Sequence, residues 1–94
     1  MQIEVQHDEQ AKKWFALVDG IESVMKYSEA GDRTLNFYST FVPPELRGRG
    51  IADEIVQVAL DDAVQKGYKV IPTCWFVRLY IDRHKDRYQT LLTG

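Results

Sequence analysis

Cysteine and histidine are scarce in this chain of 94 residues. The single cysteine, Cys74, excludes an intrachain disulfide and a cysteine-based zinc site, and it fits a reducing, cytoplasmic compartment. The two histidines, His7 and His84, lie far apart and show no pattern of acidic partners, so no metal site is predicted. Both histidines are expected at the surface.

Excess basic charge and long apolar runs are also missing. The formal net charge is -2 and the pI is near 5.6, which argues against a general electrostatic grip on nucleic acid. The first thirty residues contain no apolar run long enough for a signal peptide or a membrane span, so no membrane association is expected. With 45% hydrophobic and 28% charged residues, the composition predicts one globular domain over residues 1–94.

The N-terminal part of the chain has the alternation and turns of β-strands. Period-two patterns predict strands over residues 2–7, 13–18, 21–28 and 34–42. Asp19-Gly20 predicts a two-residue hairpin turn, and a second turn is predicted around Gly31. These strands are expected to form an antiparallel meander. Trp14 and the other apolar residues at even-numbered positions of its strand are expected on one face.

The C-terminal part has helical spacing. Residues 51–66 carry an apolar stripe and end at Gly67, a typical left-handed C-terminal cap. A short strand is predicted over 69–73, parallel to the strand before the helix, and then a second helix to about residue 83 with Thr73 as its N-cap. Tyr88, Leu91 and Leu92 predict a docked tail. The expected fold class is α+β: a four-stranded antiparallel meander, then a helix, a parallel strand and a helix.

The turn between the longest strand and the first helix contains Arg47, Gly48, Arg49 and Gly50. Glycines before a helix let the backbone approach a ligand closely, and the helix N-terminus supplies free N–H groups and a favourable dipole for phosphate. The arginines can add charge-assisted bonds. The spacing fits neither a P-loop nor a dinucleotide-binding fingerprint. A basic turn that only caps the helix is the plainer alternative.

Further residues give this turn a family resemblance. Arg47, Gly50 and Ala52 match the pattern Gln/Arg-x-x-Gly-x-Gly/Ala. The chain is thereby similar to the GNAT superfamily of acetyl-CoA-dependent N-acetyltransferases, and it resembles the small, roughly hundred-residue branch in particular. Ser39 departs from the branch pattern, which usually has His there, so an imidazole at that position is missing. The remaining matching residues are Thr40, Val42, Pro43, Gly48, Ile51, Pro72, Cys74, Phe76, Val77 and Tyr80.

The resemblance implies a site for acetyl-CoA or CoA. The pyrophosphate would lie on the turn, and the pantetheine amides would pair with the strand near Phe41 and Val42. Phe76 and Tyr80 would flank the thiol end. The residues implied in the pyrophosphate site are Arg47, Gly48, Arg49, Gly50, Ile51 and Ala52.

Cys74 and Tyr80 are the candidate catalytic residues. Cys74 is predicted between a strand and a helix N-terminus, which favours the nucleophilic thiolate; a cysteine can also be a small packed hydrophobe. The resemblance implies that Cys74 accepts the acetyl group or lies beside the thioester, and that Tyr80 reprotonates the CoA thiolate. Helical spacing from Phe76 equally suits a plain core role for Tyr80. Trp14 and Trp75 are predicted to pack.

The acceptor side is expected to be open. Only about five residues separate the first two predicted strands, where fuller superfamily members place two covering helices. The resemblance therefore implies transfer of acetyl from acetyl-CoA to an amine, and the open side suits a large acceptor such as a protein amine. A CoA-binding module with little catalysis is the alternative, and a nucleic-acid-binding domain is disfavoured by the acidic balance. A monomer or weak dimer is expected.

Overall fold

The computed structural model describes residues 3–92, which form one mixed sheet and three helices. The sheet order is β1-β2-β3-β4-β5, antiparallel throughout except for the parallel β4–β5 pair. The predicted α+β fold is therefore confirmed. The elements are β1 Val5–Asp8, β2 Lys13–Val18, β3 Ile21–Glu29, β4 Thr34–Phe41, α1 Ile51–Lys66, β5 Lys69–Ile71, α2 Trp75–Arg83 and α3 Lys85–Tyr88, with short 3₁₀ turns at Pro44–Leu46 and Gln89–Leu91.

The strand boundaries differ from the predictions by a few residues. The strand predicted over 2–7 is β1 at Val5–Asp8, and residue 2 lies outside the described residues. The strand predicted over 34–42 ends one residue earlier, ahead of the two prolines that follow Val42. The strand predicted over 69–73 ends at Ile71, because the next residue, Pro72, has no N–H to donate to a ladder.

α1 packs along one face of the sheet, with contacts to β1, β2, β3 and β5. Its apolar stripe is buried as predicted, and it ends at Gly67, whose φ of 73° is the left-handed cap conformation. The N-terminus of α1 is thereby held near the C-terminal end of β4. The buried apolar residues are Trp14, Ala16, Val18, Met25, Tyr27, Phe37, Leu46, Ile51, Ile55, Val56, Ala59, Leu60, Ala63, Val70, Val77, Tyr80, Ile81, Tyr88 and Leu91.

The β4–β5 pair is short, and the two strands separate beyond it. Pairing runs only from Thr34 with Lys69 to Asn36 with Ile71. The chain then turns away, and the Cys74 N–H donates to the Phe37 carbonyl at 2.9 Å as α2 begins. The remaining residues of β4 therefore have no β5 partner, which leaves a gap in the sheet beside the α2 N-terminus.

The predicted N-cap of the second helix is wrong by one residue. Cys74 occupies that position with extended backbone angles, while the Thr73 N–H bonds to Ile71. The shift follows from Pro72, which ends β5 early and leaves room for a turn before the helix. The predicted docked tail is confirmed, since Tyr88 is buried and its hydroxyl donates to Asp61 Oδ1 at 2.7 Å.

The expectation that both histidines lie at the surface is wrong, since each is half-buried in an aromatic stack. His84 lies 4.3 Å from the Tyr80 ring. His7 lies 4.0 Å from the Trp14 ring at an interplanar angle of 6°, and its Nε2 is 2.6 Å from the Tyr27 hydroxyl. Aromatic neighbours from distant strands bury these rings, and a strand or helix pattern does not reveal such contacts.

His7 gives the fold a testable pH dependence. Burial lowers the pKa of His7 below 6.5, against the opposing pull of Glu9. The unfolded chain therefore takes up this proton first as the pH falls below about 6.5, so the native state loses stability there. His7→Phe keeps a ring on Trp14 but cannot titrate. We expect urea unfolding of the wild type to show a larger fall in the free energy of unfolding between about pH 7 and about pH 5 than His7→Phe shows. Equal slopes would contradict the assignment.

No helix within residues 3–92 is both long enough and apolar enough to cross a membrane.

Candidate functional site

A cleft of about 490 Å³ opens at the gap between β4 and α2, and its floor is the N-terminus of α1. This volume lies within the range of about 300–1,000 Å³ that is usual for small-molecule sites. Three segments that are distant in the sequence meet here, namely the end of β4, the turn before α1 and the start of α2. The lining residues are Thr40, Phe41, Val42, Leu46, Arg47, Gly48, Gly50, Ile51, Ala52, Asp53, Cys74, Trp75 and Phe76.

The N-terminus of α1 presents backbone donors to the cleft. The first hydrogen bond of the helix runs from the Glu54 N–H to the Gly50 carbonyl at 3.2 Å, and no side chain caps this end. The preceding N–H groups, those of Ile51, Ala52 and Asp53, thus have no intrahelical acceptor. Because all three residues line the cleft, these donors and the positive end of the helix dipole are available to an anion.

The turn before α1 depends on glycine. Gly48 has φ 83° and Gly50 has φ 76°, which is the left-handed region that side-chain-bearing residues avoid. A Cβ built on either glycine meets no atom within 4 Å, so the space beside both residues is open. The backbone of this turn can therefore be approached closely from the cleft.

The two arginines of the turn lie on different sides of it. Arg47 lines the cleft, where its Nε donates to the Val42 carbonyl at 3.0 Å and its guanidinium lies 6.0 Å from the Phe41 ring. Arg49 does not line the cleft, since its Nη1 lies 3.4 Å from Asp19 Oδ2 in the β2–β3 turn. Asp53 also lines the cleft, and its negative charge offsets the positive charge of Arg47. Backbone donors, rather than net side-chain charge, therefore make this end of the cleft suitable for anions.

Cys74 lies at the other end of the cleft. Its side chain is half-buried, and the thiol donates to Thr40 Oγ1 at 3.4 Å, which places the sulfur beside the part of β4 that has no β5 partner. Cys74 is also the N-cap of α2, and no side chain caps that helix end. The thiol is therefore partly accessible from the cleft and lies at a helix N-terminus.

Tyr80 is not brought to the cleft. Its ring is buried against His84 and lies 6.0 Å from the ring of Tyr88, on the side of α2 that packs near α1. Burial raises the pKa of Tyr80, which holds the phenol in its protonated form. The role of Tyr80 as an acid stays a prediction, and its position fits the core alternative.

Trp75 was expected to pack and that prediction is wrong, since 72% of the side chain is exposed at the rim of the cleft. As the first residue of α2, Trp75 precedes the buried stripe of that helix, so nothing in the core covers it. Trp14 is buried, as predicted. Four lining residues were missed as site residues by sequence reasoning: Thr40, Leu46, Asp53 and Trp75.

Within the part of the chain that the structure describes, no group of three or more histidine, cysteine or carboxylate side chains could hold a metal ion.

Known proteins share both the sequence pattern and the fold. Residues 13–91 match the sequence model of a family described as GCN5-related N-acetyl-transferase. The chain is 35% identical over 81 residues to Protein NATD1 of Mus musculus, which covers 84% of this chain and 74% of that protein. It is 33% identical over 81 residues to Protein NATD1 of Homo sapiens, covering 84% and 72%. The solution structure of a GCN5-like putative N-acetyltransferase from Staphylococcus aureus is similar with a TM-score of 0.73 at 22% identity, covering 97% of this chain and 88% of that one. The glycine turn before α1 therefore lies within the matched region, and this chain belongs to the GCN5-related N-acetyltransferase family.

Proposed function

We propose that this protein binds acetyl-CoA in the cleft and transfers the acetyl group to an amine. The observation that carries the proposal is the uncapped N-terminus of α1, where three backbone N–H groups open into a cleft that holds a cysteine at its other end. The family relationship supports the same donor, since N-acetyltransferases of this family generally use acetyl-CoA.

The two ends of the cleft fit the two ends of CoA. The pyrophosphate would accept hydrogen bonds from the N–H groups of Ile51 and Ala52, with Arg47 adding a charge-assisted bond from the cleft wall. The pantetheine arm would lie along Phe41 and Val42, where β4 has lost its β5 partner. The edge of β4 that β5 leaves free would supply backbone donors and acceptors for the pantetheine amides.

Cys74 would carry the acetyl group in a two-step transfer. Its sulfur attacks the carbonyl carbon of the thioester, the bond from that carbon to the CoA sulfur breaks, and the leaving CoA thiolate takes up the proton that the Cys74 thiol gives up. The neutral amine then attacks the carbonyl carbon of acetyl-Cys74, the bond from that carbon to the Cys74 sulfur breaks, and the proton lost by the amine restores the Cys74 thiol as the amide forms. Thr40, as the hydrogen-bond partner of the thiol, positions the sulfur for the first step.

A CoA-binding module without efficient catalysis is the second candidate. One observation favours it: the ionisable side chains lining the cleft are Arg47, Asp53 and Cys74, so within residues 3–92 no imidazole reaches it. Ser39 occupies the position where the small branch usually carries histidine. An acceptor amine would have to arrive already deprotonated, because no obvious base lies beside it.

Binding and transfer can be tested separately. Calorimetry should show CoA binding at least about tenfold tighter than pantetheine, which lacks the pyrophosphate. A panel of lysine peptides, polyamines and simple alkylamines with acetyl-CoA should then yield an N-acetyl product by mass spectrometry. CoA binding without any product would favour the binding module, and equal affinity for pantetheine would remove the proposed pyrophosphate site.

A further inference from the structure

A second pocket lies towards the C-terminal end of α1, away from the cleft. Its volume is about 90 Å³, which is room for a few water-sized groups rather than for a molecule as large as CoA. Ala59 and Lys66, which line this pocket, lie about 12 and about 22 Å along the helix from Ile51 at the cleft. A molecule bound here would therefore not lie in the cleft, and the second pocket is a separate site.

Aromatic rings form one side of the second pocket. His7, Trp14 and Tyr27 come from three neighbouring strands, and Tyr68 follows the glycine that ends α1. The His7 ring is stacked on Trp14, and its Nε2 meets the Tyr27 hydroxyl at 2.6 Å, so these side chains hold one another in place. α1 contributes small side chains such as that of Ala63, which leave the space open. Walls of this kind cover an alkyl chain and attract cations.

Carboxylates dominate the charge of the second pocket. Glu9, Glu29 and Asp62 line it, whereas Lys66 is the one lining cation within residues 3–92, and it pairs with Asp62 at 3.1 Å. Three carboxylates against one ammonium leave an excess of two negative charges. His7 adds no charge at neutral pH, because burial lowers its pKa below 6.5. In the described part of the chain Glu9 and Glu29 form no ion pair, so their charges are not compensated.

Charged residues just outside the lining do not remove this excess. The cations Lys12 and Arg33 lie in the two turns beside the pocket, and each turn also carries a carboxylate, that of Asp8 or Asp32. The Arg33 guanidinium lies 5.0 Å from the centre of the Tyr68 ring and donates to a carbonyl at the end of α1, so it is held outside the pocket. The charges of these turns cancel, and the excess of two negative charges remains.

The electrostatic potential inside the second pocket is accordingly negative. Burial raises the pKa of the Tyr27 phenol, and the carboxylates of Glu9, Glu29 and Asp62 raise it further. The pocket also borders the last turn of α1, which ends at Lys66, and the C-terminal end of a helix dipole carries partial negative charge. The two ends of α1 thus differ in sign, since the cleft at its N-terminus favours anions and the second pocket favours cations.

We propose that the second pocket binds the ammonium group of a small aliphatic amine. The carboxylates and the Tyr27 oxygen would accept its N–H donors, and the aromatic rings would cover its alkyl chain. A metal ion is a poorer occupant, because within residues 3–92 no three histidine, cysteine or carboxylate side chains come close enough to hold one. The inference goes beyond the proposed acetyl transfer and does not depend on it.

The two tryptophans of the chain give each site its own reporter. Trp14 lines the second pocket, and Trp75 lines the cleft. Trp75→Phe assigns the two indole N–H signals in a proton–nitrogen NMR spectrum. Titration with butylamine, which is protonated at about pH 7 like a lysine side chain, should shift the Trp14 signal to saturation. CoA should shift the Trp75 signal instead, and a failure of that second titration would count against the proposed function alone.

Charge recognition is tested by a neutral ligand and by matched variants. Butanol, which has the same alkyl chain without the charge, should bind the wild type at least about tenfold more weakly than butylamine. Glu9→Gln combined with Glu29→Gln should weaken butylamine binding at least about tenfold. Glu4→Gln combined with Glu45→Gln is the matched control and should keep the affinity. All four side chains are exposed, and the control pair lines neither pocket.

Each contrary result overturns the inference. Absence of a saturable Trp14 shift, or equal binding of butanol and butylamine, would show that the pocket does not recognise an ammonium group. Equal loss in the two double variants would assign the effect to net charge, and displacement of butylamine by an equal concentration of Mg²⁺ would assign the pocket to a metal ion. A lysine tripeptide titrated in parallel separates the two sources of the amine, since only a pocket that accepts a protein lysine would bind it as tightly as butylamine.

Discussion

Gly50→Val is expected to abolish measurable CoA binding, with an affinity loss of about a hundredfold or more. A valine side chain at this position projects into open space beside the first N–H groups of α1, where the pyrophosphate would lie. Loss of two charge-assisted hydrogen bonds, each worth about 1.5 kcal/mol, corresponds to about a hundredfold in affinity. Calorimetric titration with CoA measures the effect directly.

Strain in the folded state needs its own control. Gly50 has φ 76°, and a side chain in that conformation costs about 1–2 kcal/mol of stability. Gly20 also has φ 76° and an equally open surrounding, but it lies in the β2–β3 turn outside the cleft lining. Gly20→Val should therefore lose comparable stability and keep CoA affinity. If both variants bind like the wild type, the turn is not the pyrophosphate site.

Cys74→Ala is expected to reduce acetyl transfer by roughly a hundredfold or more while CoA affinity stays within a few fold. The sulfur is the group that would form the acetyl intermediate, whereas the contacts to the pyrophosphate lie at the other end of the cleft. Incubation of the wild type with acetyl-CoA alone should add one acetyl group to Cys74, as intact-mass and peptide mass spectrometry would show. The variant should acquire none.

Thr40→Val is the matched control for that experiment. Valine has a methyl group where threonine has the hydroxyl, so this variant removes the acceptor of the thiol hydrogen bond and keeps the sulfur. This variant should still form the acetyl adduct, more slowly than the wild type. Transfer by Cys74→Ala at the wild-type rate would mean that the amine attacks the thioester directly and that Cys74 only packs.

Local sequence patterns were sufficient to predict the structure wherever a short segment determines its own conformation. The β2–β3 hairpin follows from Asp19-Gly20, and α1 follows from an apolar stripe that ends at Gly67. Gly50 before α1 was also identified from local spacing. These features depend on backbone angles and periodicity within a few residues, which the sequence displays directly.

Side-chain directions could not be predicted in the same way. Arg49 lies two residues from Arg47, yet only Arg47 lines the cleft, because Arg49 pairs with an aspartate in a turn about thirty residues earlier. Trp75 is exposed because it precedes the buried stripe of α2, and Tyr80 packs with His84 rather than facing the cleft. Each outcome depends on a partner from another part of the chain.

The sequence by itself determined the α+β fold class, the strand–turn–helix unit and the family pattern around Arg47, Gly50 and Ala52, because these are carried by spacing along the chain. Only the tertiary structure decided that β4 and β5 part after Asn36 and that the thiol of Cys74 meets Thr40. The physical reason is that register and packing are set by contacts between residues far apart in sequence. A pattern within one segment carries no information about which distant residue will lie opposite it.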